Sequence, residues 1–337
     1  MRSAGGNVAS GSMDWAVPTL ADVLDARDRI SAYLRPTPLY RYPAIDERLA
    51  AEVYLKHENH QPVGAFKVRG GINLISRLDA GERSRGVISA STGNHGQSVA
   101  YAARLFGVPA TICVPEKANP VKVASMRGLG AEVVFYGHNF DEARLHAERI
   151  AREGGRRFVH TANEPLLIAG VGTATLEILE DQPRIEVIIV PVGGGHGAAA
   201  ACIVAKAVNP EIRVIAVQSR QAPAAFRSWR ERRLVEDNVE TFAEGLATGT
   251  AFEFTQRILW DLLDDFILVS DDEIAAAQAL LIESARNLVE AAGAASFAAA
   301  LQLSGQLTGK RVALMVTGGN ASPDQIIDVL TRHQPGQ

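Results

Sequence analysis

Residues 187–192 read Val-Ile-Ile-Val-Pro-Val and run straight into Gly193-Gly194-Gly195-His196-Gly197. An apolar run without alternation does not describe a strand with one wet face. It describes a strand covered on both sides, as in parallel sheets flanked by helices. The rest of the chain supplies the neighbours such a strand needs. Strand-like segments stand at 52–56, 86–90, 110–114, 132–136, 213–217, 266–269 and 311–316. Between them lie helical patterns at 20–34, 96–106, 121–129, 141–152 and 165–179, an Ala-rich stretch after Gly197, and a long helix from Asp272. Gly107, Gly130 and the pair Gly154-Gly155 fall where helices are expected to stop. The expected fold is α/β, with parallel-sheet cores and helices on both faces.

At 337 residues the chain is long enough for two lobes. No low-complexity linker separates them, so a second lobe is expected as an insertion within the first. A net charge of −4 gives no electrostatic reason to expect a nucleic-acid or membrane partner. Both cysteines, Cys113 and Cys202, sit in apolar runs. That predicts buried free thiols in a reducing compartment, with the cytoplasm as the expected location. No apolar run approaches a membrane span. Residues 1–12, rich in Gly, Ser and Ala, lack the apolar core of a signal peptide and read as a disordered tail, or as a leader before a natural start at Met13.

Three polar, glycine-rich clusters and one lysine carry the chemistry. Four glycines in five residues at the strand-to-helix turn 193–197 let backbone N–H groups converge on an anion, and a phosphate is the expected guest. A tight turn alone rarely needs so many. The spacing Gly193-x-Gly195-x-x-Ala198 is only a loose dinucleotide fingerprint. Gln218 stands near where the ribose-binding acid belongs, and no Lys-Ser or Lys-Thr follows as in a P-loop. The second cluster, Ser91-Thr92-Gly93-Asn94-His95-Gly96, offers hydroxyls and backbone donors suited to a substrate carboxylate, or a plain N-cap. The third, Thr317-Gly318-Gly319-Asn320, follows the last strand. Each lies at the carboxyl end of a predicted parallel strand, where open α/β sheets bind ligands. The lysine is Lys67 in Gly64-Ala65-Phe66-Lys67-Val68-Arg69-Gly70-Gly71. Small and apolar neighbours suggest partial burial, which lowers an amine's pKa and makes it a nucleophile or base. A stem packed on the core with its head in water is the plainer alternative. An apolar-set amine with three such clusters points to an aldehyde cofactor with a phosphate handle.

With these motifs in this order, the sequence resembles the threonine and serine dehydratases (ammonia-lyases), with serine racemase beside them. These belong to the tryptophan-synthase-β-like, fold type II group of pyridoxal-phosphate enzymes. The resemblance runs from about residue 20 to the C-terminus. It implies pyridoxal 5'-phosphate as cofactor, with Lys67 as its covalent anchor and catalytic base and Phe66 beside its ring. Ser91, Thr92, Gly93, Asn94 and His95 match the substrate loop, with Asn94 also expected at the cofactor's phenolic oxygen. Gly193, Gly194, Gly195, His196 and Gly197 match the phosphate loop. Gly245, in Ala243-Glu244-Gly245, is expected against the other ring face, Glu290 near the ring, and the Thr317 hydroxyl at the pyridine nitrogen. A hydroxyl there, rather than a carboxylate, favours elimination over transamination.

The implied lobes are a large cofactor-binding domain of 1–80 and 160–337 and a small substrate-side domain of 81–159. The implied reaction turns a small β-hydroxy amino acid, threonine or serine first, into a 2-oxo acid and ammonia, in a homodimer. Serine racemase and hydroxyaspartate ammonia-lyase are the alternatives within the family. Thr92 keeps the first open, and Arg220 and Arg227 are candidates for a second carboxylate in the other. Outside the family stand a nicotinamide-dependent oxidoreductase and a non-catalytic ligand-binding module. The chain also departs from the family pattern. His196 replaces a glycine or small residue, so its side chain must turn away or meet the phosphate. Gln218, Ala222 and Ala224 stand where racemase-like relatives place divalent-cation ligands, and no activating metal is expected there. No C-terminal regulatory domain is expected after the last helix.

Overall fold

The computed structural model describes residues 15–332; the expected tail at 1–12 lies outside them. Ten strands are present among the described residues: β1 Leu39–Arg41, β2 Glu52–His57, β3 Val87–Ala90, β4 Ala110–Val114, β5 Glu132–Phe135, β6 Arg157–Phe158, β7 Val187–Pro191, β8 Arg213–Ser219, β9 Asp265–Val269 and β10 Arg311–Val316. They form a six-stranded sheet in the order β1-β2-β10-β7-β8-β9 and a four-stranded sheet in the order β5-β4-β3-β6. Every pairing is parallel except β1 with β2. The smaller sheet is built wholly from chain lying between β2 and β7.

The apolar run of β7 is covered on both faces. Ile188 and Val190 join the core shared with helices Pro165–Asp181 and His196–Val208. Val187 and Ile189 join the opposite core, with helices Asp271–Ala285 and Ala291–Gln302. β8 splits the same way, Val214 and Ala216 against Ile215 and Val217. Each fully buried Val or Ile contributes about 1.5–3 kcal/mol. Helices Val68–Ser76 and Pro165–Asp181 cross where two glycines meet. A methyl added to Gly170 would lie 2.7 Å from the Cα of Gly70 and from the carbonyl oxygen of Arg69.

The first helix ends at Ile30, and Leu34 is buried beyond it. The helix expected at 96–106 starts two residues earlier, at Asn94, so Asn94 and His95 occupy its first turn. The long helix from Asp272 is two helices, Asp271–Ala285 and Ala291–Gln302, parted at Arg286, whose φ is 52°. The irregular middle contains two further helices, Ala224–Glu231 and Glu253–Leu262. The antiparallel edge strand β1 and the helix Pro43–Leu49 have no counterpart in the sequence reading. No helix among the described residues is long and apolar enough to cross a membrane. Because the strands run parallel, the loops after β3, β7 and β10 leave from carboxyl ends, and they meet in one cleft.

Candidate active site

The cleft has a volume of about 870 Å³. Phe66, Lys67, Ser91, Thr92, Gly93, Asn94 and His95 line it, as do Gly193, Gly194, Gly195, His196, Gly197, Gly245, Glu290 and Thr317. Residues separated by 250 positions are thus brought to one cavity.

Lys67 stands at the start of helix Val68–Ser76, and the backbone around it is fixed from three sides. The Phe66 N–H donates to the Thr317 carbonyl at 3.0 Å, tying the lysine segment to the end of β10. The Ser98 hydroxyl donates to the Lys67 carbonyl at 2.6 Å. Two residues on, the fully buried Arg69 donates to Glu58 (2.7 and 2.8 Å) and to Glu177 (2.6 and 2.8 Å). Lys56 donates to Glu177 at 2.6 Å, so two cations and two carboxylates balance. The Lys67 amine lies 5.3 Å from the centre of the Phe66 ring. Burial, opposed by attraction to Glu290, lowers its pKa to about 8. Roughly a tenth of this amine is therefore unprotonated at pH 7, against well under a thousandth for an ordinary lysine, and the neutral form is what a nucleophile or base requires.

The glycine loop closes β7 and opens helix His196–Val208. Gly195 is its N-cap with φ +90°, and a Cβ there would lie 2.6 Å from the Thr255 hydroxyl oxygen. That hydroxyl donates to the Gly194 carbonyl at 2.9 Å. Three histidines border the cleft. His95 lies 3.4 Å from the Val159 carbonyl through Nε2, and burial with the nearby Lys67 charge lowers it to about 3. His160 Nδ1 accepts from the N–H groups of Ala162 and Asn163, both at 2.9 Å, and burial lowers it to about 4. His196 is buried with neither ring nitrogen hydrogen-bonded.

Glu290 is nearly buried, and burial raises its pKa against the pull of Lys122 and the Asn94 hydrogen bond. Asn94 Nδ2 donates to Glu290 Oε1 at 2.7 Å, and Asn94 Oδ1 accepts from Asn320 at 2.8 Å. One N–H of the Asn94 amide stays available to a ligand. Thr92 is exposed in the cleft.

Sequence reasoning missed several lining groups. Lys122 pairs with Glu244 across the cleft, and Arg144 pairs with Glu148 at 2.6 Å. No local pattern marks these. His160 follows β6 as the other clusters follow their strands, and a two-residue strand was too short to signal it. Arg220 and Arg227 do not line the cleft. Arg227 is engaged by Asp237 at 2.7 Å and Glu231 at 3.2 Å, and Arg220 is exposed. Gln218 is buried, its Oε1 accepting the Phe226 N–H at 3.0 Å.

The donor set suits a group carrying both an aldehyde and a phosphate. It pairs an amine of pKa near 8 with an aromatic neighbour, and a glycine turn at a helix N-terminus with two orphaned imidazole nitrogens beside it. Comparison with known proteins gives the same answer. The chain is 40% identical over 315 residues to an L-threonine ammonia-lyase of Thermotoga maritima, covering 93% of this chain and 78% of that protein. It is 35% identical to an L-threo-3-hydroxyaspartate ammonia-lyase of Saccharomyces cerevisiae, covering 95% and 98%. The structure of maize serine racemase superposes with a TM-score of 0.89 at 31% identity, over 95% of this chain and 98% of that one. The signature described as "Pyridoxal-phosphate dependent enzyme" matches residues 30–318. By fold, donor set and sequence, this chain belongs to the pyridoxal-phosphate-dependent enzyme family.

Proposed function

We propose that the protein is an ammonia-lyase that converts a small β-hydroxy amino acid, L-threonine or L-serine, to the 2-oxo acid and ammonia. The observation that carries this reading is the Lys67 amine, lowered to about 8 by burial and placed in one cleft with the glycine loop and the 91–95 loop. The chemistry that bound pyridoxal phosphate supplies is an electron sink for the α-carbon. Lys67 Nζ anchors the cofactor and, once freed, takes the proton from the substrate α-carbon. Ser91, Thr92, Gly93, Asn94 and His95 receive the substrate carboxylate at the head of helix Asn94–Leu105, where N–H groups and the helix dipole favour an anion. Backbone donors of the glycine loop hold the phosphate. Phe66 and Gly245 border the ring, and Asn94, Glu290 and Thr317 meet its polar edge. Burial favours the neutral form of Glu290, suiting it to stand near the ring without adding a full negative charge.

A monocarboxylate substrate fits better than hydroxyaspartate. Besides Lys67, the Lys and Arg side chains lining the cleft are Lys122 and Arg144, and each already faces a carboxylate. Serine racemisation is the second reading, and the exposed Thr92 hydroxyl favours it. The same proposal takes 81–159 as the small lobe and the flanking segments as the large one, with the β3–β6 sheet as support. It also includes a homodimer, suggested by family resemblance, and a cytoplasmic location, suggested by two free buried thiols. No divalent cation is assigned to Gln218, Ala222 and Ala224. The test is 2-oxo acid and ammonia release from L-threonine, L-serine and threo-3-hydroxyaspartate. Equimolar release from threonine or serine is expected. Turnover of hydroxyaspartate alone would overturn the substrate assignment.

A further inference from the structure

The glycine loop contains one side chain that backbone donation does not explain. His196 is 3% exposed, and neither Nδ1 nor Nε2 makes a hydrogen bond of normal geometry, the Ala162 backbone being the polar group that approaches the ring. The other two cleft histidines are differently placed, because His160 Nδ1 accepts two backbone N–H groups and His95 Nε2 lies near the Val159 carbonyl. A buried polar group without a full hydrogen bond calls for a partner, and beside an anion-binding loop the bound anion can supply it. We infer that His196 is a ligand of the bound phosphate, donating one ring N–H to a phosphoryl oxygen beside the backbone donors of residues 193–197. This rests on the cofactor reading proposed above and assigns a role to this side chain.

The geometry supports it in three ways. His196 is the first residue of a 13-residue helix, where free N–H groups and the helix dipole favour an anion. A methyl added to Gly194 would lie 3.7 Å from His196 Nδ1 and 3.8 Å from Cε1, so the imidazole edge sits against the loop. The loop's carbonyls face elsewhere: Gly194 accepts from Thr255 at 2.9 Å and Gly193 from Thr248 at 3.5 Å. That leaves the anion facing donors. Burial, with the Lys67 charge second and the Ala162 backbone opposing them, keeps the imidazole neutral, so it carries one N–H.

The test uses the holoenzyme. Cofactor release is timed, and the ³¹P resonance of the bound phosphate is recorded, for the parent, His196→Ala, His196→Asn and His196→Gln. Asparagine keeps an N–H near the Nδ1 position and glutamine near Nε2. The alanine variant is expected to release cofactor about 10–100-fold faster, with a shifted resonance, because a hydrogen bond to a charged group is lost. One amide variant is expected to stay near the parent rate and names the nitrogen used. An alanine variant with parental release and resonance overturns the inference and leaves the cofactor reading intact. If alanine does not fold, the amide variants decide, and rapid release by both is a refutation. A parent protein that binds no cofactor phosphorus defeats the functional reading and this inference together.

Discussion

Lys67 owes its chemistry to its surroundings. Its pKa near 8 arises from burial, and its backbone is held by the Ser98 hydroxyl and, through the Phe66 N–H, by the Thr317 carbonyl. Thr92 differs, because it is exposed to the cleft and its hydroxyl is free to meet a substrate. A proton returned to the α-carbon from the face opposite Lys67 gives racemisation; loss of the β-hydroxyl gives elimination. The β-branch of Thr92 restricts χ1 and places a methyl beside the hydroxyl. Elimination is therefore expected to dominate. Thr92→Ser should raise racemisation relative to elimination, and Thr92→Ala should remove it while largely sparing elimination. Chiral chromatography of residual serine beside pyruvate release measures both. Racemisation unchanged in the alanine variant would remove Thr92 from the proton path. Thr92 was legible in the sequence because its motif follows a strand end, and Lys67 because it stands in a short apolar motif flanked by glycines.

At the scale of elements, helix Val68–Ser76 is anchored by Arg69 among Glu58, Glu177 and Thr173. Arg69→Leu leaves the two carboxylates with Lys56 alone and should cost about 3–5 kcal/mol in denaturant unfolding. A loss below about 1 kcal/mol would mean that the ion cluster does not hold this helix. The Glu290 loop is held otherwise. Gln278 Nε2 donates to the Val289 carbonyl at 2.6 Å, Asn287 Nδ2 lies 2.9 Å from His57 Nδ1, and Asn59 Nδ2 donates to the Leu288 carbonyl at 3.2 Å. The sequence gives no warning of this break, since no glycine or proline stands between Ala285 and Ala291. Partners more than 200 residues away interrupt what local propensity reads as one helix. Asn287→Ala should cost about 1–3 kcal/mol through the buried His57 nitrogen it abandons, and should weaken cofactor binding through displacement of Glu290. Unfolding and cofactor titration of that variant check both. Unchanged cofactor affinity would separate the loop from the site.

Across the whole molecule, the alternation of strands and helices was readable because buried parallel strands leave unbroken apolar runs. The antiparallel β1 was not, being three residues long and largely exposed. Ion pairs such as Lys122–Glu244 depend on the two sheets facing each other, which no local pattern encodes. The same burial makes the fold acid-sensitive. His57 and His160 are lowered to about 4 and His95 to about 3, chiefly by burial, against 6.5 in an unfolded chain. Between pH 6.5 and 4 the unfolded state binds protons that the folded state refuses. Stability is therefore fully present above 6.5 and falls with pH, by up to about 1.4 kcal/mol per unit for each histidine. The melting temperature should drop between pH 6.5 and 5; a flat profile would show that these histidines are not held neutral.

The central claim is that Lys67 carries the cofactor. Borohydride reduction of the holoenzyme, followed by proteolysis and peptide mass mapping, tests it most directly. The account predicts a pyridoxyl label on the peptide containing Lys67, absent from Lys67→Ala. A label on another lysine, or no label on a protein that retains its cofactor, would contradict it.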